Sequence, residues 1–225
     1  MRAPFLALLL SLLILFLLSP FTSMGFLIRA GVVVAAAAVV FSTLRLVAMH
    51  RRWLVAAVVL GLSGTLLKIS SALWEVETLY VMSELLLLVF YLLLSAMILM
   101  HIARSHRVSM DSVMGAACVY LVMGFIWAKL FILVEWFQPG SFNLSPLISE
   151  GSGRAHLATP EAGQLTYLSF ITLTTVGYGD LTPIKPAARM LAMLEGLAGQ
   201  LYVAIMIARL VALQVSQNIR SRSAS

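Results

Sequence analysis

Long apolar runs, separated by short clusters of charge, dominate the pattern of the chain. A spanning helix needs about 20 apolar residues, with a range of roughly 17–25. Six candidate segments stand at about 3–18, 25–48, 53–73, 79–102, 112–137 and 187–213. The first also has features of a signal peptide, with Arg2 before a leucine-rich centre and Ser19 and Pro20 after it. No small-x-small cleavage site follows, so a retained helix is expected. The third is the weakest, because Gly61, Gly64 and Lys68 interrupt it. Lys68 has two readings: it snorkels to the interface, or it pairs with Glu84 on the next helix. The pattern predicts an all-α membrane protein.

Composition agrees. Of 225 residues, 61% are hydrophobic and 11% charged, whereas a soluble domain carries roughly 25% charged residues. The net charge of +6 is not a nucleic-acid footprint, because the arginines close apolar runs instead of forming one patch. Arg2, Arg45, Arg51, Arg52, Arg104, Arg107, Arg209, Arg220 and Arg222 fall on one side, and Glu75, Glu77, Glu150, Glu161 and Asp180 on the other. The positive-inside rule then places both termini in the cytoplasm, with the bilayer of the plasma (inner) membrane as partner. The lone Cys118 can form no internal disulfide and is read as packing. No Ser/His/Asp set, metal cluster or phosphate loop stands in the chain, so neither an enzyme nor a cofactor is expected.

The longest non-spanning stretch covers residues 138–186. Its first part, QPGSFNLSPLISEGSGRAHLA, reads as an exposed outer loop. Then Thr159 offers an N-cap, Pro160 fits the first helical position, and Glu161 suits the positive end of a helix dipole. These signs predict a short helix over about 160–174. It is too short to span, so it enters the membrane and stops. It delivers TVGYG, Thr175 to Gly179. Irregular backbone at membrane depth is tolerated only where protein buries it or where it lines a watery cavity. Gly177 and Gly179 permit angles that a side chain opposes. Such angles can turn successive carbonyls toward one axis, where they replace water around a small cation.

Residues 175–179 resemble the selectivity filter of tetrameric potassium channels, and the resemblance extends over about 112–213: outer helix, re-entrant pore helix, filter and inner helix. It implies a potassium-selective channel with K+ as the permeant ion. It also implies that the carbonyls of Thr175, Val176, Gly177 and Tyr178 coordinate the ion, that the Thr175 hydroxyl is the innermost ligand, and that Asp180 sits at the outer mouth. One chain supplies one filter strand, so the resemblance implies a homotetramer. Gly199 falls where many relatives have a hinge, though close helix packing accounts for it equally well. Ile171 is a departure, since some relatives carry a glutamate there. Two other readings stay open: a subunit of an ion transporter, and a non-conducting scaffold that keeps the pore fold.

The chain divides into a four-helix region at 1–111, a pore region at 112–213 and a short cytoplasmic tail at 214–225. The fourth segment lacks the arginines at three-residue spacing that a voltage sensor needs. The tail is too short for a ligand-binding domain, which leaves lipid, tension or a separate regulatory subunit as gating influences. On the last helix, Gln200, Ala204, Ile207, Ala208 and Val211 share one face and are candidates to line a cavity. Lys129 and Glu195 each lie about eight residues inside the outer ends of their helices, roughly 12 Å deep. A direct ion pair between them is expected. The alternative pairs Glu195 with a pore-helix hydroxyl such as Thr172 and turns Lys129 toward Glu135.

Overall fold

The computed structural model describes residues 4–19, 21, 26–43, 51–74, 76–104, 110–144 and 160–222. Seven helices run through them: α1 (Pro4–Leu18), α2 (Phe26–Thr43), α3 (Arg51–Trp74), α4 (Glu77–Arg104), α5 (Met110–Phe137), α6 (Pro160–Leu173) and α7 (Pro186–Arg222). Arg2, Arg45, Glu75, Arg107, the stretch 145–159 and the Thr159 cap lie outside the described residues. So do the side chains of Arg51, Arg52, Glu161, Arg220 and Arg222.

Among the described residues, four helices are long and apolar enough to cross a membrane: Val55–Trp74, Glu77–Arg104, Met110–Phe137 and Pro186–Ala212. Helix α1 has 15 residues, about 22 Å at 1.5 Å per residue, against a hydrocarbon core of about 30 Å. The apolar part of α2 with described side chains, Ala30–Thr43, is also short. Of the six expected spans, four reach spanning length among the described residues. Helix α7 continues beyond the expected end at 213 to Arg222, because the sequence ALQVSQNIRSR holds no glycine or proline to stop it.

Consecutive helices from α1 to α5 pack side by side, and α1 returns to α5. Phe5, Leu8 and Leu12 of α1, Val39 of α2, Ala57 of α3, Phe90 and Leu94 of α4 and Val122 of α5 share one buried core. Helix α6 joins it through Phe170, whose ring lies 4.5 Å from Phe16 and 5.3 Å from Phe125. Gly124 makes that approach feasible: a Cβ there would stand 2.5 Å from the Phe170 ring. Cys118 is buried, as expected, and donates to the Phe5 carbonyl at 3.8 Å. Near the C-terminal end of α4, Arg209 of α7 donates to the Ile102 carbonyl.

The turn after α5 anchors the segment that follows α6. Glu135 accepts hydrogen bonds from the amides of Gly140 (2.7 Å), Ser141 (2.9 Å) and Phe142 (3.1 Å). Gly140 has φ +77°, which favours glycine at this bend. Two short strands then pair antiparallel, β1 (Phe142–Asn143) with β2 (Thr182–Pro183). Lys185 adds a bond from its Nζ to the Pro139 carbonyl at 2.7 Å. Both flanks of the 174–181 segment are thereby held, by α6 on one side and by this strand pair on the other.

Candidate functional site

Helix α6 ends at Leu173, and the chain then folds its amides back onto it. Thr174 N–H donates to the Phe170 carbonyl (3.0 Å) and Thr175 N–H to Thr172 (3.0 Å). Val176 and Gly177 N–H both reach the Ile171 carbonyl, at 2.9 and 3.2 Å. Positive φ recurs at every second residue: Thr175 (59°), Gly177 (51°) and Gly179 (80°). A left-handed threonine is uncommon and costs about 1–2 kcal/mol, so the surrounding contacts must hold it. Residues 174–180 are exposed on the protomer, with Tyr178 at 74%.

Neighbouring elements brace this segment. Tyr120 of α5 donates to the Leu173 carbonyl at 3.2 Å, satisfying one of the free C=O groups at the end of α6. Tyr167 of α6 donates to Asp180 Oδ2 at 3.0 Å, spanning from this helix to the residue after the glycines. Ile171 is buried among apolar residues. Gly199 of α7 lies beneath the end of α6, where a Cβ would stand 2.5 Å from the Leu173 carbonyl oxygen. Helix α7 runs unbroken through this position. This close approach agrees with the packing reading of the glycine. Gln200, next along, donates from Nε2 to Thr175 Oγ1 at 3.3 Å. Ala204, Ile207, Ala208 and Val211 are exposed on the protomer along with Gln200, while Met206 is buried.

A family model described as "Ion channel" matches residues 115–215. Protein LctB of Bacillus caldotenax is 32% identical over 110 residues, which cover 49% of this chain and 78% of that protein. Protein LctB of Geobacillus stearothermophilus is 30% identical over the same shares of the two chains. The chain belongs to the ion channel family. No solved structure matches it. The matched region runs from α5 to α7 and includes α6 and the segment with alternating backbone.

The buried charges of this ion channel family member pair differently from the sequence-based expectation. Lys129 does not meet Glu195 within the chain. Its Nζ lies 2.6 Å from Glu84 Oε2 on α4, and Lys68 of α3 lies 2.6 Å from Glu84 Oε1. The Lys68–Glu84 reading is the one the structure adopts. Glu84 is completely buried, the Lys129 side chain is 10% exposed and that of Lys68 is 31% exposed. Glu135, the alternative partner for Lys129, is occupied by the three amides of the turn after α5. The physical reason is adjacency. Helix α4 packs along α5, and Glu84 lies seven residues after the start of α4 while Lys129 lies eight before the end of α5, which brings the two to a similar level.

Glu195 instead meets a hydroxyl of α6, on Ser169 and not on Thr172. Ser169 Oγ lies 2.5 Å from Glu195 Oε1 and 2.7 Å from the Gly124 carbonyl. A hydroxyl has one proton. It serves one of these acceptors, and the second bond closes when the carboxyl supplies a hydrogen. Glu195→Gln offers an N–H in that place and is expected to keep stability close to the parent. Glu195→Ala leaves Ser169 short of a partner and should cost about 1–3 kcal/mol. Thermal unfolding of the purified protein in detergent checks this. Equal losses from the two variants would show that the hydrogen bond does not matter.

Sequence reasoning missed Ser169, Tyr120 and Tyr167. Ser169 and Tyr120 carried no local signal, because a hydroxyl inside an apolar helix is common. Tyr167 stands thirteen residues before Asp180, and only the return of the chain after α6 brings the two together.

Proposed function

We propose that the chain is one subunit of a homotetrameric, potassium-selective channel that conducts passively. The observation that carries this reading is the alternation of positive φ at Thr175, Gly177 and Gly179, with the amides of 174–177 turned back onto α6. Alternating handedness directs successive carbonyls to the side opposite those amides. Four such strands around an axis make stacked rings of oxygen that substitute for the water around a dehydrated K+. In this reading Thr175, Val176, Gly177 and Tyr178 supply the carbonyls, the Thr175 hydroxyl closes the inner end, and Asp180 marks the outer mouth. The C-terminal end of α6 aims about half a negative charge at the cavity below, which favours a cation there.

The exposed face of 174–180 and α7 supports four-fold assembly. It carries Met193, Leu197, Leu201 and Ile205 exposed beside the filter segment and the helix below it, an apolar surface that neighbouring copies and the bilayer would cover. Gln200, Ala204, Ile207, Ala208 and Val211 line the cavity. All six apolar helices, α1 and α2 included, are assigned to the plasma membrane, with both termini on the cytoplasmic side. Helix α4 has Arg104 at its inner edge and no arginine ladder, so gating by a sensor of that kind is not expected.

The test is reconstitution into liposomes with bi-ionic reversal potentials. Potassium permeability is expected to exceed sodium by a wide margin, without a steep dependence of conductance on voltage. Near-equal permeability would overturn the selectivity. Flux strictly coupled to a second ion would favour a transporter subunit, and absence of flux a scaffold.

A further inference from the structure

The inner end of the filter segment holds a contact that the channel reading leaves unused. Thr175 Oγ1 donates its proton to the Thr174 carbonyl at 2.7 Å. Gln200 Nε2 lies 3.3 Å from the same oxygen. A hydroxyl has one proton and two lone pairs. With the proton committed to Thr174, Thr175 can only accept from Gln200, so the amide presents its nitrogen here and its oxygen elsewhere. One lone pair is then held by Gln200 and one is left. The hydroxyl is fixed at both its proton and a lone pair, and it no longer rotates freely.

The reach of Gln200 depends on its neighbour. Gly199 has no Cβ to strike the Leu173 carbonyl, where such an atom would stand at 2.5 Å. This brings α7 against the end of α6, close enough for a glutamine to meet the first residue of TVGYG. On the same face of α7, Ala204, Ile207, Ala208 and Val211 offer no side-chain hydrogen-bonding group. Gln200 is the member of that face able to act on the hydroxyl.

We propose that Gln200 is a positioning residue for the innermost cation site: it holds the Thr175 hydroxyl with its free lone pair toward the ion path. It thereby sets how tightly the cytoplasmic end of the filter retains a cation. This inference rests on the channel reading. Discrimination between potassium and sodium resides in the carbonyl rings above, which Gln200 does not touch. Affinity at the inner end is therefore expected to change while the permeability ratio holds.

Barium is a suitable probe, since it is close to potassium in size and carries twice the charge. In reconstituted protein, Gln200→Met keeps the length of the side chain and removes the amide. The concentration of cytoplasmic-side Ba2+ that halves potassium flux is expected to rise roughly tenfold, the scale of one hydrogen bond. The potassium-to-sodium reversal potential should not move. In a Thr175→Ala background the same substitution should add nothing, because the group it acts through is gone. Should Gln200→Met fail to assemble, Gln200→Asn, one methylene short of the hydroxyl, carries the same expectation. Unchanged barium block, or an equal rise with and without the Thr175 hydroxyl, would overturn the proposal. Wild-type protein without any potassium flux would remove the channel reading and this inference together; wild-type protein that conducts but is indifferent at position 200 removes this inference alone.

Discussion

Gly177→Ala is expected to abolish selective potassium flux while leaving the protein folded. The φ of 51° at this residue lies in the left-handed region, where a Cβ meets the following carbonyl and costs about 1–2 kcal/mol. A Cβ at Gly177 would meet no atom within 4 Å in the protomer. The penalty is thus backbone strain, not collision. Summed over the four subunits of the proposed tetramer it reaches roughly 4–8 kcal/mol, and the segment can relieve it by rotating the peptide. That rotation turns a carbonyl away from the ion path, so function is lost before the fold is. Liposome flux and size-exclusion chromatography together check this. A folded Gly177→Ala protein that still selects potassium would contradict the role given to the alternating backbone.

The largest stability effect is expected at Glu84. Its carboxylate is fully buried between Lys129 and Lys68, at 2.6 Å from each, and it joins α3, α4 and α5. Glu84→Met would leave Lys129 buried without a counter-charge beside a second lysine. Breaking a buried pair by removing one partner costs about 3–5 kcal/mol, and membrane depth removes the water that would otherwise help. Lys129→Met should cost less, because Lys68 still meets the carboxylate. Lys68→Met should cost least, because its side chain is 31% exposed and can snorkel. The double variant Glu84→Met, Lys129→Met should recover part of the loss. Thermal unfolding in detergent gives the ranking. A Glu84→Met protein as stable as the parent, or strictly additive losses in the double variant, would refute the cluster as a structural tie among α3, α4 and α5.

Much of this molecule was legible in the chain because the deciding physics is local. The lengths of the apolar runs anticipated α3, α4 and α5 to within a few residues. Pro160 marked the first residue of α6, and the two filter glycines marked where regular backbone stops. Chirality forces that stop: Gly177 and Gly179 do take positive φ. Thr175 takes it as well, and no residue-type preference announces that. Its conformation depends on amides that fold back onto α6, an arrangement made by the packing of α5, α6 and α7.

The partners of the buried charges needed the tertiary structure. Helical rise gives depth from sequence, and Lys68, Glu84, Lys129 and Glu195 all come out six to nine residues from the helix ends expected to face outward. Depth alone therefore permits several pairings. Which is formed depends on which helices are neighbours and how each is rotated. Helices apolar on nearly every side carry little amphipathic contrast to reveal their rotation. Packing decides it: α4 lies along α5 and brings Glu84 to Lys129, while small residues such as Gly124 and Gly199 draw α6 against α5 and α7. Glu195 is then left with Ser169, the hydroxyl that this close approach places beside it. The sequence by itself determined where the helices and the irregular segment lie, through run length and backbone chirality; the tertiary structure decided which buried polar groups meet, because that is set by contacts between residues far apart in the chain.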